Sequence, residues 1–195
     1  IRKIGGKVIM TENNIQRPGL RVAVAAEKLN LDPNDIVIVS QGDEPLVNPE
    51  MFDEAISPLI DNHDIFVSNL CDTIGVEEWS DPNEIKVICN NEMEALYMSR
   101  SPVPSIDHEE SRQDWFKQVC IMPFRWWFMQ KFNNELEPTS MELQESIEMN
   151  RAIQHGYKVK MIKTKFKSKS VDTLEDLRLV EKIIKKDVFA KQYNK

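Results

Sequence analysis

The sequence predicts an α/β fold, a sheet with helices on its faces. Three observations carry that prediction. Short apolar runs of strand length alternate with stretches of helical length and periodicity. Polar segments containing Gly, Pro or Asn separate them. The 195 residues, 41% hydrophobic and 29% charged, have the composition of one globular domain (1–195) with a core of its own.

Val8-Ile9-Met10 is a short apolar run that ends at polar Thr11-Glu12-Asn13-Asn14. Residues Val22 to Leu29 are Ala-rich and predict a helix stopped by Asn30 and Pro33. Ile36-Val37-Ile38-Val39-Ser40 is an unbroken β-branched run and predicts a strand buried on both faces. It ends in the polar turn Gln41-Gly42-Asp43-Glu44-Pro45. Pro49 to Ile60 has helical periodicity with its acidic residues early, where the helix dipole favours them. Phe66 to Leu70 predicts a further strand.

Ile85–Cys89 and Ala95–Ser99 flank Asn90-Asn91-Glu92 and predict a hairpin. Ser101 to Gln113, rich in Pro and acid, reads as a loop. Val119 to Phe124 predicts one strand, Glu142 to His155 one helix stopped by Gly156, and Tyr157 to Ile162 another strand. Thr173-Leu174-Glu175-Asp176 has capping-box form and opens a final amphipathic helix through Leu177, Val180 and Ile184.

Several function classes are disfavoured. A net charge of −7 argues against coating nucleic acid, whose binders carry basic surfaces. No apolar run approaches the ~20 residues of a membrane span. Cys71, Cys89 and Cys120 are widely spaced and form no CxxC pair, so neither a zinc site nor a disulfide framework is expected and buried thiols are. Ile1 to Gly6 carries no apolar signal core, so a cytoplasmic protein with no membrane partner is the expectation.

The candidate chemistry lies at predicted strand ends. Ligands of open α/β sheets bind there, so Asp43, after the most apolar strand, is placed to meet a hard cation such as Mg²⁺; a plain acidic turn is the alternative. Asp172 follows the last predicted strand and a short loop. With Asp43 it could clamp one Mg²⁺ on a nucleoside triphosphate, or it could simply support the start of the final helix. Arg100, after Ala95–Ser99, can fork onto a carboxylate or phosphate. Glu142, Glu145 and Glu148, spaced by three, would share one helix face, solvated unless that face borders a cleft. Six lysines between Lys158 and Lys169 could attract an anion or guard an edge strand. The aromatic cluster Phe124, Trp126, Trp127 and Phe128 is expected in the core or at a subunit contact.

Taken in order, these runs resemble the 3-deoxy-manno-octulosonate (Kdo) cytidylyltransferases, or CMP-Kdo synthetases. The carriers are Gly5-Gly6-Lys7-Val8-Ile9-Met10-Thr11, the Gln41–Pro45 run, Asp81-Pro82-Asn83-Glu84-Ile85-Lys86-Val87 and Ala95 to Pro104. Met141 to Glu148 and Val171 to Leu177 complete the set. The resemblance implies a Rossmann-like nucleotide-diphospho-sugar transferase fold, a mixed sheet with helices on both faces. It implies the reaction of CTP with Kdo to give CMP-Kdo and pyrophosphate, dependent on Mg²⁺, in a cytoplasmic homodimer that feeds lipopolysaccharide synthesis. Asp43 and Asp172 would be the catalytic Mg²⁺ carboxylates. Gln41, Arg100 and Glu148 would contact the anionic sugar acid, and Arg21 the nucleotide.

The resemblance also has departures. The family's N-terminal strand-loop-helix segment, which cradles the triphosphate, is expected to be absent from this chain. Leu20 stands where the family has an acid before Arg21, Gln118 and Met122 where it has a His and a Tyr, and Ser170 where it has a glycine. Two further readings follow: a cytidylyltransferase for another sugar acid, such as an amino-substituted Kdo, or a non-catalytic homologue acting as a binding or scaffold protein.

Overall fold

The computed structural model of the chain describes residues 1–105 and 115–187. The first half runs α1 (Pro18–Ala26), β1 (Ile36–Ser40), α2 (Pro49–Asp61), β2 (Ser68–Thr73), α3 (Val76–Ser80), β3 (Lys86–Cys89) and β4 (Ala95–Ser99). The second runs β5 (Phe116–Val119), β6 (Ile121–Arg125), α4 (Trp126–Asn134), α5 (Ser140–Glu145), α6 (Met149–Gln154), β7 (Lys160–Lys163) and α7 (Leu174–Ile184). Residues 106–113 of the loop expected over Ser101 to Gln113 lie outside the described residues.

Five strands form a mixed sheet in the order β4-β3-β5-β2-β7, and β1 pairs with β6 alongside it. Among the described strand pairs, only β2–β7 is parallel. Helices cover both faces, as expected. On one, α2 buries Met51, Ala55 and Leu59, an i, i+4, i+8 stripe, and the first two join Leu70 of β2, Val119 and Ile121. On the other, α1, α4 and α6 pack Ala23, Phe128, Phe132 and Ala152 against Val67, Cys71 and Met161. Phe124 stacks on Phe128 at 6.2 Å, so the aromatic cluster is core.

Several boundaries differ from the sequence reading, each for a physical reason. Among the described strands, β1 pairs with β6 alone, and of its residues only Val39 is fully buried, whereas β6 is buried throughout and β2 over all but its last residue. The single strand expected over Val119 to Phe124 is two: the chain leaves one sheet at Val119 and joins the other at Ile121, with Cys120 between them. The helix expected over Glu142 to His155 is broken at Ser146, which sits in the left-handed region at φ 56°. Other elements keep their places. The β3–β4 hairpin, α2 and the Thr173 capping box of α7 form as read, and Gly156 ends α6 with φ 81°. Among the described residues, no helix is long and apolar enough to cross a membrane.

Candidate functional site

A cleft of about 160 Å³ opens where the loops after β1, β4 and β7 meet the junction of α5 and α6. Gln41, Asp43, Arg100, Glu148 and Asp172, from four separate stretches of chain, all line it. Arg21 does not. Its guanidinium instead ties down the segment before α1, donating to Thr11 Oγ1 (2.6 Å) and to the carbonyls of Glu12 and Ile15.

The Asp43 loop is fixed by its neighbour. Glu44 is buried, and its carboxylate accepts from the Ser168 hydroxyl and from the Cys120 N–H (3.3 Å). The Val171 N–H donates to the Asp43 carbonyl at 2.9 Å, which holds the two aspartate loops together. Asp43 itself stays exposed, and its carboxylate has no partner among the described residues. Among the described residues, Asp172 accepts from the Ser170 hydroxyl alone (2.7 Å), and it directly precedes Thr173, the N-cap of α7. Both carboxylates act on one atom: burial first, then Glu44, Asp43 and Asp172, push the Cys120 thiol up to about 12.

The opposite wall is built around two glutamates. Burial works against the charged form of Glu145, but hydrogen bonds from Tyr97, the Arg100 N–H and Ser99 hold its carboxyl below the usual range. Through this carboxylate and its own Nε bond to the Glu145 carbonyl (3.0 Å), Arg100 is seated on the end of α5. Beyond the Ser146 break, Glu148 accepts from the Gly19 N–H at 3.1 Å through one oxygen, while the other is buried with no partner among the described residues. Burial pushes its carboxyl up, against the Gly19 bond and the charges of Arg151 and Arg17. A Cβ at Gly19 would lie 2.8 Å from Glu148 Oε1, so a larger residue there would have to displace the Glu148 carboxylate.

Glu142 is not a member of this site. It is fully buried and takes a two-pronged bond from Arg151 at 2.6 and 2.7 Å. The helix break separates it from Glu148, so the shared acidic face expected from the spacing of three does not exist. Ion pairs hold part of the lysine run: Lys158 with Glu94, Lys167 with Asp72, and Lys169 with Glu84 and Asp176. Most of it flanks β7, which is an edge strand.

Sequence reasoning missed the ions beneath the cleft floor. Lys117 is buried, lines the cleft, and pairs with Glu78 (2.7 Å) and Glu84 (3.1 Å). Burial disfavours its charge, but the two carboxylates more than offset this and raise its pKa. A lysine between Phe116 and Gln118 looks like any solvent-facing strand residue, so no local signal could have found it. Arg17, donating to Ser146 Oγ at 3.1 Å across the cleft mouth, was also missed as a lining residue.

Comparison with known proteins decides the family. The cytidylyltransferase profile matches residues 1–186. The chain belongs to the cytidylyltransferase family. Among curated relatives of this cytidylyltransferase, the 3-deoxy-manno-octulosonate cytidylyltransferase of Geotalea daltonii is 34% identical over 193 residues, covering 91% of this chain and 73% of that protein. The enzyme of the same description from Syntrophus aciditrophicus is 35% identical over 185 residues, covering 94% and 74%. A solved structure of CMP:2-keto-3-deoxy-manno-octonic acid synthetase complexed with CTP superposes with a TM-score of 0.85 at 29% identity, covering 95% of this chain and 75% of that one. A glucose-1-phosphate thymidylyltransferase structure from Bacillus anthracis, at 14% identity and a TM-score of 0.59, shares the fold. The resemblance read from the sequence, and the nucleotidyltransferase fold it implied, are therefore borne out.

Proposed function

We propose that this cytidylyltransferase joins CTP to a 2-keto sugar acid, with Kdo as the acceptor, giving CMP-Kdo and pyrophosphate. What supports the reading is one convergence: Asp43 and Asp172 on one side of a cleft, with Gln41, Arg100 and Glu148 also lining it. The anomeric hydroxyl of the acceptor loses its proton and attacks the α-phosphorus; the bond to the β-phosphate oxygen breaks, and pyrophosphate leaves.

The donor set fits Mg²⁺. Among the described residues, no group of three or more His, Cys, Asp or Glu could hold a metal by itself. Mg²⁺ needs none, because it takes one or two carboxylates plus substrate phosphates and water. Asp43 and Asp172 offer two hard oxygen donors, neither neutralised by an ion pair among the described residues. Bound there, Mg²⁺ offsets charge on the phosphates. Beyond its bonds to the Glu145 and Pro82 carbonyls, Arg100 has N–H groups with no partner among the described residues, which can fork onto the acceptor's carboxylate. Glu148 offers its orphaned oxygen to an acceptor hydroxyl. We place this chemistry in one domain spanning residues 1–195, in a cytoplasmic homodimer supplying lipopolysaccharide synthesis.

A second acceptor has a specific observation in its favour. Gln118 and Met122 line the cleft where the resemblance would put a His and a Tyr, and Gln118 Nε2 is already committed to Asn69 Oδ1 (2.5 Å). That wall suits a differently substituted sugar acid, such as an amino-substituted Kdo. The test is pyrophosphate release from CTP and Mg²⁺ with each acid in turn. Turnover with Kdo at the higher kcat/KM supports the first reading, and preference for the amino sugar the second. No release with either would make the chain a non-catalytic homologue.

A further inference from the structure

Lys86 is fully buried, at 0% exposure, and its surroundings are unusual for a lysine. Among the described residues, the ammonium meets no carboxylate directly. It donates to three main-chain carbonyls: Asp81 at 2.7 Å, Glu84 at 2.6 Å and Arg100 at 2.8 Å. All three of its N–H groups are thereby used. Burial pushes its pKa down, while the nearby Asp81 and Glu84 carboxylates push it back up. As filling for a core, a buried ammonium is a poor choice, since an apolar side chain of similar volume serves as well or better. The charge therefore asks for another purpose.

Arg100 supplies one. Its carbonyl is one of the three acceptors, so its main chain is pinned by the ammonium. Its side chain reaches back to the same turn, with Nη1 donating to the Pro82 carbonyl at 3.2 Å. Pro82 lies between Asp81 and Glu84, the other two residues that Lys86 holds. Both the root and the tip of Arg100 are thus referenced to one buried charge. The remaining guanidinium N–H groups have no partner among the described residues, and the side chain lines the cleft.

We propose that Lys86 is a positioning residue for acceptor binding: by fixing the Arg100 carbonyl and the Asp81–Glu84 turn together, it aims the free edge of the Arg100 guanidinium at the acceptor's carboxylate. The proposal rests on the assignment of Arg100 to that carboxylate. Glu84 extends the same unit, since its carboxylate takes Lys117 and Lys169, and Lys169 also reaches Asp176 in the first turn of α7.

The test is steady-state kinetics on Lys86→Met, which keeps the aliphatic stem, and on Lys86→Gln, which keeps a donor, each alone and combined with Arg100→Ala. Acting through Arg100, either variant raises KM for the sugar acid about tenfold, with kcat and KM for CTP within about twofold. In the Arg100→Ala background, the same change has no further effect, because the interaction it serves is already gone. Equal losses in kcat and both KM values, or losses that multiply with Arg100→Ala, would overturn the positioning role. So would insolubility of both Lys86 variants, which would assign the ammonium to holding the fold. If Arg100→Ala alone leaves KM for the sugar acid unchanged, the Arg100 assignment fails and takes the inference with it. A large Arg100→Ala effect beside silent Lys86 variants would sink the inference alone.

Discussion

The Val171 N–H donates to the Asp43 carbonyl at 2.9 Å, joining two loops from opposite ends of the chain. The bond is main chain to main chain, so it sets the spacing of the two aspartate loops without using either carboxylate. Glu44, buried against Ser168 and Cys120, carries the anchoring that would otherwise fall on Asp43. Of the two proposed metal carboxylates, Asp43 is thus left with no contact among the described residues and Asp172 with the Ser170 hydroxyl.

That division of labour predicts a clean separation of effects. Asp43→Asn should lower kcat/KM about a hundredfold, the scale of losing one electrostatic contact to developing charge. Its melting temperature without substrate should match the parent's, because the Asp43 side chain supports no described contact. Pyrophosphate release against Mg²⁺ concentration, paired with a thermal melt, checks both. Full activity in Asp43→Asn would remove this residue from the metal site.

Gly19→Ala should be a mild change for the fold and a severe one for the site. The new Cβ meets Glu148 Oε1 at 2.8 Å, but that atom is the end of a flexible side chain and can swing away. Alanine also gains about 1 kcal/mol of helix propensity over glycine, which offsets the disturbance. Urea unfolding should therefore move by less than about 1 kcal/mol, while KM for the sugar acid rises. A large loss of stability with unchanged KM would contradict this.

Glu148 carries a pH signature. Burial raises its carboxyl above the unfolded value of about 4.3. Between that value and the raised native one, the native state holds a proton that the unfolded state has lost. Stability is therefore lost as pH rises through that window and stays lower above it. Glu148→Gln removes this loss. Its melting temperature should exceed the parent's at neutral pH, with the gap closing as pH falls below about 4. Melts across that range decide the matter, and a gap independent of pH would refute the assignment.

The Glu142–Arg151 pair should behave as structure. Removing one partner leaves a buried charge without compensation, so Glu142→Ala should cost about 3–5 kcal/mol. Any activity that survives in the folded fraction should keep its KM values. A selective rise in KM for the sugar acid would return Glu142 to the site.

Legibility followed the range of the forces involved. The α/β class, α2, the β3–β4 hairpin and the Thr173 cap were readable because they rest on local periodicity and near-neighbour hydrogen bonds. Asp43, Gln41, Arg100, Glu148 and Asp172 were readable as candidates because strand ends and a family resemblance point to them. The breaks at Cys120 and Ser146 were not, because each is imposed by what the chain must reach next: a second sheet at Ile121, and the α6 contact at Glu148.

The three glutamates spaced by three make the distinction most sharply. By itself, the sequence determined that Glu142, Glu145 and Glu148 stand near one another in a helical stretch. Only the tertiary structure decided that one is a buried partner of Arg151, one is the seat of Arg100, and one lines the cleft with a buried oxygen that meets no partner among the described residues. Lys86 and Lys117 tell the same story, since a charged residue in a strand is solvent-facing by every local rule. The physical reason is that a carboxylate or ammonium takes its role from burial and from the partner it finds, and both are supplied by segments far away in the chain.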